Sequence, residues 1–215
     1  VSIGSGLTAA GGSATVTASA SHMAYDYYTS GSYNNSHSVT DGVSWSITTQ
    51  TFTPSGGSAS TITRFSKSGN TLSHTTMTSN IGTDYVKVTA VNGSSSSTTA
   101  SAEKSITNEV VNSDYNSSNS NYNVSVNIGS GLNAGKSNAA VSVSGSHTHT
   151  YYYLYTSGST SGPYTATHSD SPTWSITSQY INSSGNTINR FSKSGNTLSH
   201  ATMGSSTGTD YVIIT

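Results

Sequence analysis

Hydrophobic side chains alternate with polar ones in several short stretches of the chain. Between residues 13 and 20, Ala and Val alternate with Ser and Thr, and Trp45 and Ile47 later alternate with Ser and Thr in the same way. A period of two predicts a strand with one buried face. No stretch of the sequence carries the helical period, so the pattern predicts an all-β chain in which Trp45 faces inward.

The pattern occurs twice. The segment RFSKSGNTLSH occupies residues 64–74 and again 190–200. Three shorter segments recur around it in the same order: IGSGL at 3–7 and 128–132, WSIT at 45–48 and 174–177, and GTDYV at 82–86 and 208–212. A repeat of this length is typical of tandem domains and not of solenoids. We therefore predict a first domain over residues 1–111, a polar linker over 112–123 and a second domain over 124–215, with Trp174 inward like Trp45.

Turn signals separate the predicted strands of each copy. Ser-Gly-Asn between Phe65 and Leu72 predicts a hairpin, and TSGS predicts a turn after each Tyr-rich stretch. Variable turn-rich connections, PSGGSAS from residue 54 and NSSGN from residue 182, follow the Trp strands. Seven short strands predict a Greek-key β-sandwich of the immunoglobulin type.

The second copy stops at DYVIIT, which corresponds to the sixth strand of the first copy. Its seventh strand is expected either downstream in a longer parent chain, which we favour, or from a neighbouring subunit by strand addition. The start at Val1 without Met also indicates a piece of a longer polypeptide.

Charge and composition narrow the possible partners. Seven Lys plus Arg face eight Asp plus Glu, a net charge of -1, which argues against nucleic acid and against an anionic membrane surface as partners. The chain has no Cys, so neither a disulfide nor a thiolate nucleophile is available. No apolar run approaches the roughly 18 residues of a membrane span, so we expect no membrane insertion.

The order of these motifs resembles the bacterial immunoglobulin-like domains of the Big and BACON kinds. The matching features are the inward Trp, the Gly-x-x-Leu hairpin at 69–72 and 195–198, and the Gly-Thr turn at 82–83 and 208–209. Such domains are repeated in surface proteins of gut bacteria and in virion proteins of their phages. The resemblance implies a passive module that extends, displays or adheres, although a fold alone does not fix a function.

A few charged and aromatic residues are kept in both copies. Arg64 with Asp84, and Arg190 with Asp210, are predicted to form charge-assisted pairs that close one end of each sandwich, with solvent exposure as the alternative. Tyr85, like its counterpart Tyr211, begins the sixth strand, where a Tyr hydroxyl often bonds back to the backbone. The alternative is an ordinary inward Tyr.

The Tyr-rich stretches are the candidates for contact with other molecules. Half of the Tyr side chains on a strand must face outward, where they could contact a protein or stack on a sugar. The competing interpretation is that one alternate set of Tyr packs in the core and the other only shields the sheet from edge aggregation. The candidate binding residues are Tyr25, Tyr27, Tyr28, Tyr151, Tyr152, Tyr153 and Tyr155, with Tyr33 and Tyr164 nearby.

The histidines of the sequence do not form a complete metal site or a catalytic group. His147 and His149 form at most half of a metal site, and only His22 lies near the corresponding place in the first copy. His74 and His200 are expected at the surface or in packing. We predict no catalytic residue, no metal and no cofactor.

These features predict a non-enzymatic structural or adhesive display protein on an extracellular assembly, either a phage virion decoration or fibre or a bacterial surface stalk. Its partners would be other proteins of that assembly or further copies of itself. A carbohydrate-binding module that uses exposed Tyr is one alternative, and a filament subunit assembled by strand donation is another.

Overall fold

The computed structural model describes residues 1–182 and 186–215. The all-β prediction is confirmed: the described residues form antiparallel sheets. None of these residues belongs to a helix long and apolar enough to cross a membrane. The chain divides into two compact units, which comprise Val1–Asn116 with Tyr152–Gly162, and Ser117–Tyr151 with Pro163–Thr215.

The first unit consists of two sheets and a separate two-stranded ribbon. Its strands are β1 (Ser2–Ile3), β2 (Leu7–Thr8), β3 (Gly11–Thr17), β4 (Ala20–Tyr27), β5 (Tyr33–Asp41), β6 (Val43–Pro54), β7 (Ser60–Thr61), β8 (Phe65–Ser68), β9 (Thr71–His74), β10 (Gly82–Asn92) and β11 (Ser95–Asn108). One sheet has the order β1-β3-β9-β8 with β2 also on β3, and the other has the order β11-β10-β6-β7. Strands β4 and β5 pair only with each other among the described strands.

Side chains from both sheets fill a single core in this unit. Strict alternation along β10 buries Val86 and Val88, while Leu72 on β9 faces them from the other sheet. Trp45 on β6 is buried in the same core. Strand alternation thus gives one apolar face to each sheet, and the two faces pack together.

The repeated hairpin and the TSGS turns form as predicted. In the first copy β8 and β9 pair across a two-residue turn, whose first residue is Gly69 with a φ of 55°. In the TSGS turn, Gly31 N donates to Tyr28 O, and Gly158 N donates to Tyr155 O in the second copy. Gly195, with a φ of 56°, repeats the hairpin geometry. Glycine suits these positions because a positive φ costs it little.

Residues 112–123, which the polar sequence predicted as a linker, belong to a strand that is exposed along its length. They lie inside β12 (Val110–Ile128), which pairs with β13 (Ser137–Tyr155), and β14 (Thr160–Asp170) pairs with β13 in turn. Residues 111–127 are exposed throughout. Because neither face of this strand is buried, residues 112–123 show no hydrophobic alternation. The sequence pattern therefore does not predict the backbone pairing of this strand.

The boundaries of the compact units also differ from the predicted domains. The tip of the second Tyr-rich hairpin, Tyr152–Gly162, belongs to the first unit. Ser157 Oγ there donates to Thr78 O at 2.5 Å, and Ser157 N donates to Asn108 Oδ1 at 2.8 Å. These hydrogen bonds join residues far apart in sequence, which a reading by segments does not anticipate.

The second unit repeats the architecture of the first with a smaller second sheet. Its remaining strands are β15 (Ile176–Ile181), β16 (Asn186–Thr187), β17 (Phe191–Ser194), β18 (Thr197–His200) and β19 (Asp210–Ile214). The sheets have the orders β12-β13-β18-β17 and β16-β15-β19. Trp174 is buried in the core with Leu198, although it precedes β15 and does not lie within a strand. The predicted turn over NSSGN falls largely on residues 183–185, outside the described residues.

The second unit has an edge strand, β19, at the position where the first unit has a strand paired on both sides, β10. Strand β10 lies between β6 and β11, whereas β19 has β15 on one side and forms the edge of its described sheet. Ile106 on β11 is buried in the first core. In the second unit a cleft of about 330 Å³ is lined by Leu132, Phe191, His200, Met203 and Val212, among other residues. The lining also includes Asp210, whose counterpart Asp84 pairs with Ile106 of β11 in the first unit. The seventh strand of the second copy stays a prediction.

Candidate functional site

The ionic pair predicted in each copy is brought together around a buried carboxylate. Asp84 lies on β10 and its side chain is fully buried, while Arg64 lies just before β8. Arg64 Nη1 donates to Asp84 Oδ1 at 2.5 Å, and its guanidinium also lies over the Phe52 ring, 4.8 Å from the centroid. A buried carboxylate requires such a charged partner.

A histidine completes this cluster, and it was not recognised from the sequence. His74 ends β9 with its side chain fully buried, which agrees with the packing alternative expected for it and not with the surface one. Its Nε2 lies 2.8 Å from Asp84 Oδ2, and its Nδ1 lies 2.9 Å from Thr8 O. Thr8 O and the Asp84 carboxylate are both hydrogen-bond acceptors, so each ring nitrogen of His74 lies beside an acceptor. The available signal was that His74 is part of the repeated segment.

The second unit contains the same cluster. Arg190 Nη1 donates to Asp210 at 2.7 and 2.9 Å, and Arg190 Nη2 donates to Ser206 Oγ at 2.9 Å. His200 Nε2 lies 2.9 Å from Asp210 Oδ2, and its Nδ1 lies 2.7 Å from Asn133 O. His200 is buried like His74, so of its two expected positions, surface or packing, it too takes the packing one. We refer to the Arg, Asp and His of each unit as the Arg-Asp-His cluster.

The cluster joins the two sheets of each unit. In the first unit Asp84 belongs to the sheet that contains β10, while His74 and Thr8 belong to the sheet that contains β9. Both ring nitrogens and both carboxylate oxygens are engaged in hydrogen bonds, and the His ring also packs on Phe65 at 4.6 Å between centroids. The described geometry therefore holds strands together.

The pKa of Asp210 follows from this environment. Burial alone would raise the pKa, but hydrogen bonds from His200 and Arg190, together with their charges, outweigh burial and hold the pKa below its ordinary value. Opposite charges and donors favour the ionised carboxylate in this way. The carboxylate form of Asp210 is thus the form that the fold stabilises.

A glutamine adds a second repeated tie between the sheets. Gln50 Oε1 accepts from Phe65 N at 2.8 Å, and Gln179 Oε1 accepts from Phe191 N at 2.7 Å. Gln179 Nε2 also donates to Phe191 O at 2.8 Å. The sequence signal was a Gln five residues after each Trp, which is weak because a single polar residue on a strand ordinarily faces solvent.

Each buried Trp carries a lysine on its ring. Lys67 Nζ lies 4.9 Å from the Trp45 ring centroid, and Lys193 Nζ lies 4.7 Å from that of Trp174. Lys193 also donates to Trp174 O. These cation–π contacts give the Lys of the repeated hairpin a structural partner.

Tyr85 does not adopt either of its predicted roles. On β10 Asp84 and Val86 occupy inward positions, so alternation places Tyr85 on the outer face. Burial raises the pKa of Tyr85, as does its hydrogen bond to Glu103, which also pairs with Lys87. Tyr211 is likewise on the outer face and stacks on Tyr180, with ring centroids 5.1 Å apart. The buried Asp at the preceding position fixes this orientation in both copies.

The four Tyr side chains of the first Tyr-rich hairpin are all exposed. Tyr25, Tyr27, Tyr28 and Tyr33 surround the β4–β5 ribbon with 56–62% of their surface accessible. Core packing, which the alternation left open, is therefore wrong for these four side chains, because most residues on both faces of the ribbon are exposed. Tyr33 contacts Tyr25 and Tyr27, with ring centroids 6.3 and 6.2 Å apart.

The Tyr side chains of the second copy are more enclosed. Tyr151, Tyr152 and Tyr153 are half-buried, and Tyr155 is buried with its hydroxyl 2.6 Å from Ser161 Oγ. Tyr155 therefore belongs to the interior and not to a contact surface. The two Tyr-rich hairpins differ in exposure even though their sequences correspond.

The base of each Tyr-rich hairpin carries a His–Asp pair. His22 Nδ1 lies 2.7 Å from Asp41 Oδ1, and His147 Nδ1 lies 2.8 Å from Asp170 Oδ1. Asp41 also accepts from Ser94 Oγ and Asn92 Nδ2, and these hydrogen bonds, more than the one from His22, hold its pKa below the ordinary value.

The two histidines predicted as at most half of a metal site, His147 and His149, lie beside a third histidine in the second unit. His147 and His149 sit near His168, with ring centroids 5.5 and 5.4 Å from it, and His147 pairs with Asp170. His149 Nδ1 instead lies 2.7 Å from Asn119 Oδ1. Within residues 1–182 and 186–215, no group of three or more His, Cys, Asp or Glu side chains is placed to hold a metal ion.

Comparisons of the chain with protein-family models, with curated proteins and with solved structures found no match. The resemblance to bacterial immunoglobulin-like domains therefore stays a prediction.

We expect Arg64→Ala to lower the free energy of unfolding by about 3 kcal/mol, because it leaves the buried carboxylate of Asp84 without its cation. Chemical denaturation and thermal melting of the whole chain would measure the change. Lys136→Ala is the matched control, since it removes an exposed positive charge and should change the stability by no more than about 0.5 kcal/mol. An unchanged melting temperature for Arg64→Ala would show that the pair does not close the unit.

The lowered pKa of Asp210 predicts a specific acid sensitivity. A carboxylate with a depressed native pKa contributes full stability above its unfolded pKa of about 3.9, and the contribution is lost as the pH falls through the native value. We therefore expect the unfolding free energy of the wild type to fall more steeply between about pH 5 and pH 2.5 than that of Asp210→Asn. Urea denaturation at several pH values measures both slopes, with Glu109→Gln, an exposed carboxylate, as control. Parallel slopes would contradict the assignment.

Proposed function

We propose that the chain is a non-enzymatic structural protein whose tandem immunoglobulin-like domains display or space the parts of an extracellular assembly. A phage virion or a bacterial cell surface is the setting that the sequence resemblance implies. The partners would be other proteins of that assembly, or further copies of the chain.

The order of strands in the first unit supports the immunoglobulin-like part of this proposal. The sheet orders β1-β3-β9-β8 and β11-β10-β6-β7 correspond to the ABED and GFC arrangement of immunoglobulin sandwiches, with β7 added at one edge. The β4–β5 ribbon would then be an insertion between the second and third strands of the sandwich. The second unit repeats these pairings except at the β19 edge.

The use of the repeated ionisable side chains carries the functional part. In both units the Arg, Asp and His that recur at corresponding positions are directed at one another and at backbone carbonyls, away from solvent. Catalytic groups need to reach a substrate with a free donor, acceptor or lone pair. What the chain keeps in duplicate is a way of holding two sheets together, which favours a structural role.

This proposal predicts that the chain is accessible on the outside of the native particle or cell that produces it, because a display protein must reach solvent. Antibodies raised against the purified chain should label intact particles or cells in immunogold electron microscopy. Preincubating the antibodies with the chain should abolish the label and serves as the control. Label that appears only after the particle or cell has been opened would contradict the proposal.

Carbohydrate binding is a second candidate, favoured by the exposed Tyr side chains of the β4–β5 ribbon. Tyr25 and Tyr27 are 58 and 62% exposed, and exposed aromatic rings provide flat apolar surfaces on which sugar rings can stack.

If the ribbon binds a glycan, Tyr27→Ala should lose at least about tenfold in affinity for it, since about 1.4 kcal/mol of lost stacking has this effect. A glycan array followed by titration of any hit would measure the loss. Tyr122→Ala is the matched control, because Tyr122 is equally exposed but lies outside the ribbon. A wild-type chain that binds nothing on the array would remove this candidate and leave the display function standing.

A further inference from the structure

The Tyr-rich hairpins of the two copies differ in the number of strands beside them. In the second copy β12 pairs with β13, so β13 has β14 on one side and β12 on the other. In the first copy β4 and β5 form a sheet of two strands among the described residues. A lone two-stranded ribbon is only marginally stable in water, and an open strand edge is a site for a further strand.

Contacts within the second unit show how the added strand lies. Ser125 Oγ is 2.7 Å from Ser144 Oγ, and Asn119 Oδ1 is 2.7 Å from His149 Nδ1. Between these contacts the Tyr122 ring packs on the ring of His147, with centroids 5.5 Å apart. The strand thus runs antiparallel along the hairpin and covers His147.

The corresponding position in the first copy is uncovered. His22 pairs with Asp41 as His147 pairs with Asp170, which identifies the two histidines as equivalent. The His22 side chain is 50% exposed, whereas that of His147 is 17% exposed. The ring of His22 is therefore open where the ring of Tyr122 packs in the second copy.

Strand β1 enters the first unit as the end of β12 enters the second. Gly4 N donates to Thr15 O at 2.9 Å, and Gly129 N donates to Ala140 O at 2.8 Å. Upstream of this shared pairing, β12 continues along the hairpin of the second copy. A strand that continued β1 in the same direction would run along β4.

The backbone of β4 offers free groups on this side. Tyr28 N donates to Ser32 O, so the backbone groups of Tyr28 point toward β5. Successive residues of a strand direct their backbone groups to opposite edges, which turns the amides of Met23 and Tyr25 outward. The extra residue of the bulge opposite Asp26 and Tyr27 lies on β5, so the alternation along β4 is maintained.

The tip of the first hairpin also has a counterpart that binds a neighbouring repeat. In the second copy Ser157 of the TSGS turn bonds to Thr78 O and to Asn108 Oδ1, both from the first copy of the repeat. The TSGS turn at residues 29–32 has the same sequence and is exposed. In the second copy the strand edge is paired with β12, and the TSGS turn bonds to residues of the first copy. In the first ribbon, within the part of the chain that the structure describes, the β4 edge and the TSGS turn are both open.

We propose that the outer edge of β4 binds an extended, nearly uncharged strand of the kind formed by Asn112–Ser125, supplied by a further copy of this repeat. The added strand pairs antiparallel with β4 and places a Tyr on His22. This deepens the proposed display function, on which it rests, by naming the partner: repeats join through a shared strand, and each hairpin is completed by a strand from another copy.

The test adds this strand to the full chain. A second copy of residues 112–125 is fused directly before Val1, so that it continues into β1 as Ser125 continues into Val126. Tethering gives the strand a high effective concentration. We expect the amides of Met23 and Tyr25 to exchange with deuterium at least about tenfold more slowly than in the unfused chain, because hydrogen-bonded amides exchange only on opening. NMR-detected exchange resolves each amide.

Proline variants separate strand pairing from other effects of the added segment. Met23→Pro removes an outward amide and should abolish the added protection at Tyr25, while the β4–β5 pairing persists because proline is tolerated at an open edge. Met23→Val keeps the amide and should leave the protection intact. In the added segment, proline at the positions copied from Asn121 and Tyr122 should also abolish protection, since one of the two must face β4.

Unchanged exchange at Met23 and Tyr25 in the fused chain would overturn the proposal, as would protection that survives Met23→Pro. Protection that appears at β5 or at β19 instead would equally assign the strand to another edge and overturn it. None of these outcomes would alter the immunogold result, so failure of the strand-addition proposal is distinguishable from failure of the display function.

Discussion

The fold depends on one buried carboxylate in each unit. Asp84 and Asp210 lie inside sandwiches whose cores are small, and each is held by an arginine and a histidine. A carboxylate in this position without partners would be strongly destabilising. The arginine comes from a loop and the histidine from the repeated hairpin, and the histidine also contacts a backbone carbonyl of the sheet opposite the carboxylate. The hydrogen bonds that stabilise this one carboxylate therefore fix the position of the two sheets relative to each other. The cluster therefore specifies the packing of the unit as well as adding to its stability.

Backbone pairing supplies much of what side chains supply in richer cores. The chain is 31% hydrophobic, and long strands such as β12 are polar on both faces. Such a strand can persist when its backbone groups are paired on a neighbour, since unpaired groups would need water or another partner. The Gln50 and Gln179 amides act similarly, because each satisfies a backbone group of the opposite sheet. Hydrogen bonds that cross between sheets thus reinforce a limited hydrophobic core.

The repeats are related by shared elements as well as by sequence. Strand β12 follows directly on β11 in the chain, yet it pairs with the Tyr-rich hairpin of the second copy. The corresponding hairpin of the second copy has this strand beside it and that of the first copy does not, and the side chain of His147 is less exposed than that of His22. In the second copy the ring of Tyr122 on β12 covers the ring of His147.

The sequence alone determined the class of fold, the duplication, the hairpin and turn positions and the pairing partners Arg64 and Asp84, because alternation, glycine placement and exact repetition are local or self-referential signals. The tertiary structure decided what those signals do not encode: the burial of His74, the outward orientation of Tyr85, and the strand at residues 112–123. Each depends on a partner distant in sequence, the histidine on Asp84 and Thr8, the tyrosine on the inward placement of its neighbour, and the strand on β13. A periodic sequence pattern arises when apolar residues are buried on one face of a strand or helix. A polar residue or segment that is stabilised by a specific hydrogen bond produces no such pattern.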